Sequence, residues 1–167
     1  TSREAGNNNR VPMCGVPYHA VDGYLARLIA KGYRVAICEQ MEDPRQAKGI
    51  VKREVVRVVT PGTILSENVL AERGNNYLAL VWEEGAELAL AAADISTGEF
   101  LWAIFGGADR YSALLNQLSR LFPAELVVTG KLERWDEMER FLQTRLSGCT
   151  VTNFVNETTD AWRELPA

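Results

Sequence analysis

The Pro61-Gly62 pair, set inside Thr60-Pro61-Gly62-Thr63, constrains this chain more than any other feature. Proline fixes φ and lacks a donor, and glycine reaches backbone conformations that other residues avoid. No helix or central strand runs through such a pair, so the chain turns or divides there. The charge divides at the same place. Residues 1–60 carry 10 Lys and Arg against 6 Asp and Glu, whereas residues 61–167 carry 8 against 16. The net charge of -4 therefore hides a cationic part and an anionic part, and two units with different partners are expected. The expected division is residues 1–62, a linker over 63–75, and a second domain over 76–167.

In the first unit, Thr1 stands where an initiator methionine would, which reads as a fragment whose beginning lies upstream. Val16-Pro17-Tyr18-His19 opens a helix, since proline is tolerated in a first turn. Val21, Tyr24, Leu25, Leu28 and Ile29 recur at three- and four-residue steps and are expected to share one buried face. Gly32 provides a left-handed stop. Arg34 to Cys38 reads as a strand buried on both faces. Met41 to Lys52 is a polar loop or loose helix, and Glu54 to Val59 is a β-branched second strand.

The second unit has a different rhythm. Tyr77 to Trp82, Leu88 to Asp94 and Glu99 to Phe105 are strands separated by hairpin-length gaps. Asp109 is a candidate N-cap for a helix bearing Tyr111, Leu114, Leu115, Leu118, Leu121 and Phe122, which Pro123 ends. Glu125 to Thr129 is a short buried strand. Leu132, Trp135, Met138, Leu142 and Leu146 mark another helix, ended by Gly148, and Thr150 to Phe154 is a last strand. The order β-β-β-α-β-α-β gives an antiparallel meander followed by helical crossovers to parallel strands. The fold class is therefore α/β: an incomplete mixed α/β N-terminal domain, then a domain whose layout resembles ribonuclease H.

Several kinds of chemistry are poorly supported. The chain is 47% hydrophobic and 24% charged, as in globular proteins, with no apolar run of the ~20 residues a membrane helix needs. There is no basic-then-apolar leader. Cys14, Cys38 and Cys149 are odd in number and widely spaced, so reduced thiols and a cytoplasmic setting are expected, with core packing the expectation for Cys14 and Cys38. One histidine, His19, removes most His-based metal sites and Ser-His-Asp arrangements; its ordinary role would be a structural hydrogen bond. Gly49-Ile50-Val51-Lys52 is no phosphate loop. Asp94, before Ile95-Ser96-Thr97-Gly98, reads as a turn cap rather than a metal ligand, because no set of strand-end acids faces it. Arg45, Lys48, Lys52, Arg53 and Arg57 lie in and after a polar loop, where cations meet phosphate oxygens without reading sequence. A solvated loop is the plainer alternative, since Glu39, Glu42, Asp43 and Glu54 partly cancel this charge.

Three stretches carry more information than charge. They are Pro12-Met13-Cys14-Gly15-Val16-Pro17-Tyr18-His19-Ala20-Val21-Asp22-Gly23-Tyr24-Leu25, then Val35-Ala36-Ile37-Cys38-Glu39-Gln40, then Val55-Val56-Arg57-Val58-Val59-Thr60-Pro61-Gly62-Thr63. In this order they closely resemble the MutS family of bacterial DNA mismatch repair proteins. Asp94-Ile95-Ser96-Thr97-Gly98-Glu99-Phe100 is also similar to that family.

The resemblance implies that residues 1–62 are the later part of a mismatch-recognition domain and that 76–167 are a connector domain, ribonuclease-H-like without nuclease activity. The family's Phe-x-Glu wedge would precede Thr1. The ATPase domain, with its ATP and Mg, would lie elsewhere, so this piece is expected to be no enzyme and to hold no cofactor or metal. Expected DNA contacts are Val11, Pro12 and Met13 beside the minor groove, with Tyr18, His19, Arg45, Lys48 and Lys52 near phosphates. The connector is expected to pass the signal to the matchmaker protein MutL through Trp162, Arg163 and Glu164, although Trp162 equally suits its own core. Self-association would run through the missing domains. Two other readings stay open: a ribonuclease-H-like metal-dependent nuclease and an α/β small-ligand regulatory module.

Overall fold

The computed structural model describes residues 2–4, 10–12, 15–43, 51–65 and 74–154. Two lobes follow from the sequence order. In the first, β1 (Ser2–Glu4) pairs antiparallel with β2 (Arg10–Pro12). A 3-10 turn (Tyr18–Ala20) leads into α1 (Val21–Ile29), and β3 (Val35–Gln40) pairs antiparallel with β4 (Arg53–Val59).

The helix therefore starts later than the proline suggested. Pro17 is extended, with ψ 142°, and the tight turn absorbs Tyr18 and His19. Gly32 does take the left-handed stop, with φ 78°. The shared apolar face is narrower than its spacing predicts. Leu25 and Ile29 are buried and Val21 packs beside them, but Tyr24 and Leu28 are 45% and 40% exposed.

The strand from Arg34 to Cys38 is not buried on both faces. It lies in a two-stranded ribbon, where only Val35 and Ile37 pack against the small cluster of Leu25, Ile29, Val59 and Ile64. The alternate positions face water because among the described residues no further layer covers them, and the register shifts between Ile37 and Cys38, leaving Cys38 exposed. Core packing of Cys38 is thus corrected to an exposed thiol at a bulge.

In the second lobe, β5 (Tyr77–Glu84), β6 (Glu87–Asp94) and β7 (Glu99–Phe105) form the meander. Then come α2 (Arg110–Leu121), β8 (Glu125–Thr129), α3 (Trp135–Arg145) and β9 (Thr150–Phe154). The sheet order is β7-β6-β5-β8-β9, antiparallel through the meander and parallel where helices intervene. The order of elements along the chain, the antiparallel meander, the parallel crossovers and the α/β class are those that the pattern predicts. Gly85 turns the first hairpin at φ 58°.

Alternation along the strands sorts the two sheet faces. Tyr77, Ala79 and Val81, Leu88, Leu90 and Ala92, with Leu126 and Val128, meet Tyr111, Leu114 and Leu118 of α2 and Met138 and Leu142 of α3 in one core. Leu114, Leu118, Leu126 and Met138 are fully enclosed, and each such side chain contributes about 1.5–3 kcal/mol. The opposite face carries Ala89, Ala91 and Ala93 on β6, flanked by Leu80 and Trp82 on β5 and by Phe100, Trp102 and Ile104 on β7. Trp102 is 71% exposed there.

Helix ends use partners that local sequence does not show. Asp109 makes no side-chain cap. Glu83, from the end of β5, instead accepts the Tyr111 hydroxyl at 2.6 Å and the Glu133 N–H at 2.6 Å, and Arg110 joins it at 3.4 Å. The Tyr111 oxygen also accepts the Arg134 N–H at 3.0 Å. One carboxylate and one phenol thus tie the starts of α2 and α3 to the sheet. After α2, Phe122 takes the left-handed conformation at φ 46° before Pro123.

Candidate nucleic-acid interface

The first lobe projects two exposed segments. One is the approach to α1, where Gly15 to His19 are exposed throughout. Tyr18 is 89% exposed, an unusual position for an aromatic ring, and among the described residues nothing apolar covers it. The 3-10 turn holds His19 beside it. A phenol and an imidazole displayed this way suit hydrogen bonds to phosphate and stacking on sugar or base.

The other segment is the open face and tip of the β3–β4 ribbon. The Lys52 N–H donates to Glu42 Oε1 at 2.7 Å, and Met41 N–H donates to the Lys52 carbonyl at 3.0 Å, so the backbone is fixed at the ribbon end. The Lys52 ammonium pairs with Glu54 at 2.7 Å, with side chains 69% and 50% exposed. A pair so wet is worth about 0–1 kcal/mol, and a polyanion competes with it easily. Arg53 donates to the Val51 carbonyl at 3.3 Å. Arg57 is exposed on β4, in register with Ile37.

Of the residues singled out from sequence, Val11 and Pro12 sit on β2 opposite Arg3 and Ser2. Tyr18, His19 and Lys52 are exposed. Among the described residues no hydrogen bond or ion pair joins those three to one another. Met13, Cys14, Arg45, Lys48, Trp162, Arg163 and Glu164 lie outside the described residues.

The structure adds Tyr24 and Arg27, which sequence reasoning did not place at a surface. Arg27 stacks over the Tyr24 ring at 4.8 Å and donates to the Gly23 carbonyl at 3.3 Å. Their three-residue spacing was available in the sequence, but Tyr24 matched the apolar stripe of α1 equally well.

Asp94 is occupied structurally. It is 1% exposed and accepts the Asn76 N–H at 2.9 Å, the Ser96 N–H at 2.9 Å and the Ser96 hydroxyl at 2.6 Å. Burial works to raise its pKa, but the hydrogen bonds from Ser96 and Asn76 outweigh it and hold the carboxyl below the usual range. This is the turn-cap role read from sequence. Among the described residues no group of three or more His, Cys, Asp or Glu is placed to hold a metal ion, and no helix is long and apolar enough to cross a membrane.

Residues 1–68 match the family model of MutS domain I, and residues 76–164 match that of MutS domain II. The DNA mismatch repair protein MutS of Syntrophomonas wolfei is 47% identical over 169 residues, covering 99% of this chain and 18% of that protein. MutS of Pelotomaculum thermopropionicum is 55% identical over 130 residues, covering 77% of this chain and 15% of the relative. MutS of Ruminiclostridium cellulolyticum is 46% identical over 147 residues, covering 88% and 17% respectively. The chain thus spans between 15% and 18% of the length of these curated relatives. With two domain models matched in order and the second alone covering more than half of the residues, the chain belongs to the MutS family of DNA mismatch repair proteins.

Proposed function

We propose that this chain supports the binding of mismatched duplex DNA through its first lobe and relays the bound state through its second lobe to MutL, without catalysing a reaction itself. The observation that carries the reading is the succession of the two domain matches on two lobes of opposite charge. A mispaired step is cheaper to kink than a matched one, by a few kcal/mol, and a protein that inserts an apolar wedge exploits that difference. In this chain the proposed roles are support rather than wedge. Val11, Pro12 and Met13 lie beside the groove; Tyr18, His19, Arg45, Lys48 and Lys52 meet phosphates.

The acidic second lobe disfavours DNA and suits a basic protein surface. Trp162, Arg163 and Glu164 are the proposed MutL contacts. ATP and Mg belong, on this reading, to a part of the parent that neither domain match covers, and the setting is cytoplasmic.

The test uses the full-length parent with matched and mismatched duplexes over a range of salt. Tyr18→Ala with Lys52→Ala is expected to weaken both duplexes and to reduce the salt slope by about 0.9 for the lost lysine contact. An unchanged slope removes Lys52 from the interface. Trp162→Ala with Arg163→Glu is expected to lose MutL capture while heteroduplex affinity persists; normal MutL capture by that folded variant refutes the relay surface.

A further inference from the structure

We infer that Glu125 is the positioning residue that fixes the angle between the two lobes. Strand register sets Leu78, Glu125 and Thr150 side by side at the N-terminal ends of β5, β8 and β9. Alternation puts this row on the sheet face opposite the helices. The first lobe rests directly on it. A Cβ placed on Gly62 would stand 2.9 Å from Leu78 Cβ and 3.1 Å from Glu125 Cβ. A Cβ on Gly32, already at φ 78°, would stand 3.1 Å from Thr150 Oγ1. Two glycines from separate parts of the first lobe thus let its backbone approach three parallel strands of the second.

The Glu125 carboxylate gathers donors from both lobes. Its Oε2 accepts the Gly62 N–H at 3.1 Å. Its Oε1 accepts the Thr152 hydroxyl at 3.3 Å and lies 3.9 Å from Arg34 Nε. Arg34 also donates directly to Thr152 Oγ1. A further tie runs beside this hub, where Asn76 Nδ2 donates to the Pro61 carbonyl at 3.0 Å.

The first lobe is therefore held from the 60–63 turn and from the start of β3. One attachment leaves a lobe free to swivel; two attachments at different points of its surface resist rotation. Glu125 is 3% exposed, and a buried carboxylate is tolerated only while its oxygens keep their donors. Swinging the lobes apart would strip the Gly62 and Arg34 donors together. The buried charge thus favours a single pose. The Arg34 arm is the weaker one, because its side chain is 47% exposed. This inference holds whatever either lobe binds.

The test measures interlobe distance in the full chain, with spin labels on unnatural residues at exposed Glu39 of β3 and Glu139 of α3. One narrow distribution is expected. Glu125→Ala and Gly62→Ala are each expected to widen it about twofold or more while circular dichroism stays native. Glu125→Gln keeps an acceptor for the Gly62 N–H and should fall between. An unchanged width in Glu125→Ala overturns the inference. Should that variant fail to fold, hydrogen exchange on the unmodified chain decides instead. The Gly62 amide is expected to exchange ~100-fold or more below its free-peptide rate, in step with the amides of β8. Exchange near the free rate overturns the inference equally.

Discussion

The backbone N–H of Asn76 donates to Asp94 Oδ2 at 2.9 Å, joining the residue before β5 to the last residue of β6. The other oxygen of the same carboxylate caps the turn at Ser96, so one side chain closes the open end of the meander. Asp94→Ala strands a buried amide and is expected to cost about 2–3 kcal/mol in denaturant unfolding, with Asp94→Asn recovering part. A midpoint within error of the parent for Asp94→Ala would contradict that role.

Acid stability follows from the same carboxylate and from Glu83. Burial opposes the charge on each, yet hydrogen bonds from Ser96 and Asn76, and from Tyr111, Glu133 and Arg110, hold both below their ordinary values of 3.8 and 4.5. A lowered folded value means the unfolded chain binds protons first as pH falls. Their contribution is therefore complete above about pH 5 and is lost as pH drops through 4.5 and 3.8 towards the folded values. In the Asp94→Asn, Glu83→Gln double variant, thermal midpoints between pH 5 and pH 3 should fall less steeply than in the parent.

Tyr111 predicts the alkaline limb. Burial first, and then the Glu83 carboxylate, push its phenol up to about 12 from 10.0. The folded state keeps the proton longer than the unfolded chain, so stability declines as pH rises from 10 towards 12. Tyr111→Phe should flatten this decline and, by leaving Glu83 and the Arg134 N–H one partner short, cost about 1–3 kcal/mol at neutral pH. Phenolate absorbance should lose its latest-titrating component in Tyr111→Phe, while Tyr77, also raised by its hydrogen bond to Glu99 and by burial, still titrates late; an unchanged alkaline titration would contradict the burial of Tyr111.

Thiol chemistry should separate the cysteines. Cys149 is half-buried, and burial together with the charge of Glu125 raises its thiol to about 11, whereas Cys38 is exposed. At pH 8 only about one Cys149 in a thousand is the thiolate that reacts. Mass mapping after brief alkylation should find Cys38 modified well before Cys149, and the reverse order would place Cys149 at the surface.

The outer sheet face predicts association behaviour. Phe100, Trp102 and Ile104 lie exposed along edge strand β7, a pattern that invites pairing between chains. Trp102→Lys should leave the unfolding free energy within about 0.5 kcal/mol of the parent and reduce concentration-dependent association in sedimentation. Undiminished association would assign it to another surface.

Much of the second lobe was legible because its burial is one-sided and regular. Strands β7, β8 and β9 coincide with the expected segments, since alternation or apolar runs end at Gly98, Pro123 and Gly148. In the first lobe the local pattern implies more burial than the fold provides. Arg34 to Cys38 carries the apolar character of an enclosed strand, but enclosure depends on what layers lie above and below, which a local window does not contain. The exposed ring of Tyr24 was hidden for the same reason, and of the expected interface the structure adds exposure at Tyr18, His19 and Lys52 without joining them.

The sequence by itself determined the turn at Pro61-Gly62, the opposite charges of the two units, the strand and helix order, and the stretches that resemble MutS, because each depends on neighbours within a few residues. Only the tertiary structure decided that Gly62 faces Glu125 across 63 positions of chain, that Glu83 serves two helices at once, and that Asp94, besides capping its own turn, takes the N–H of Asn76. A buried carboxylate takes whatever donors the packed chain brings within about 3 Å, and that choice is made by packing rather than by local propensity.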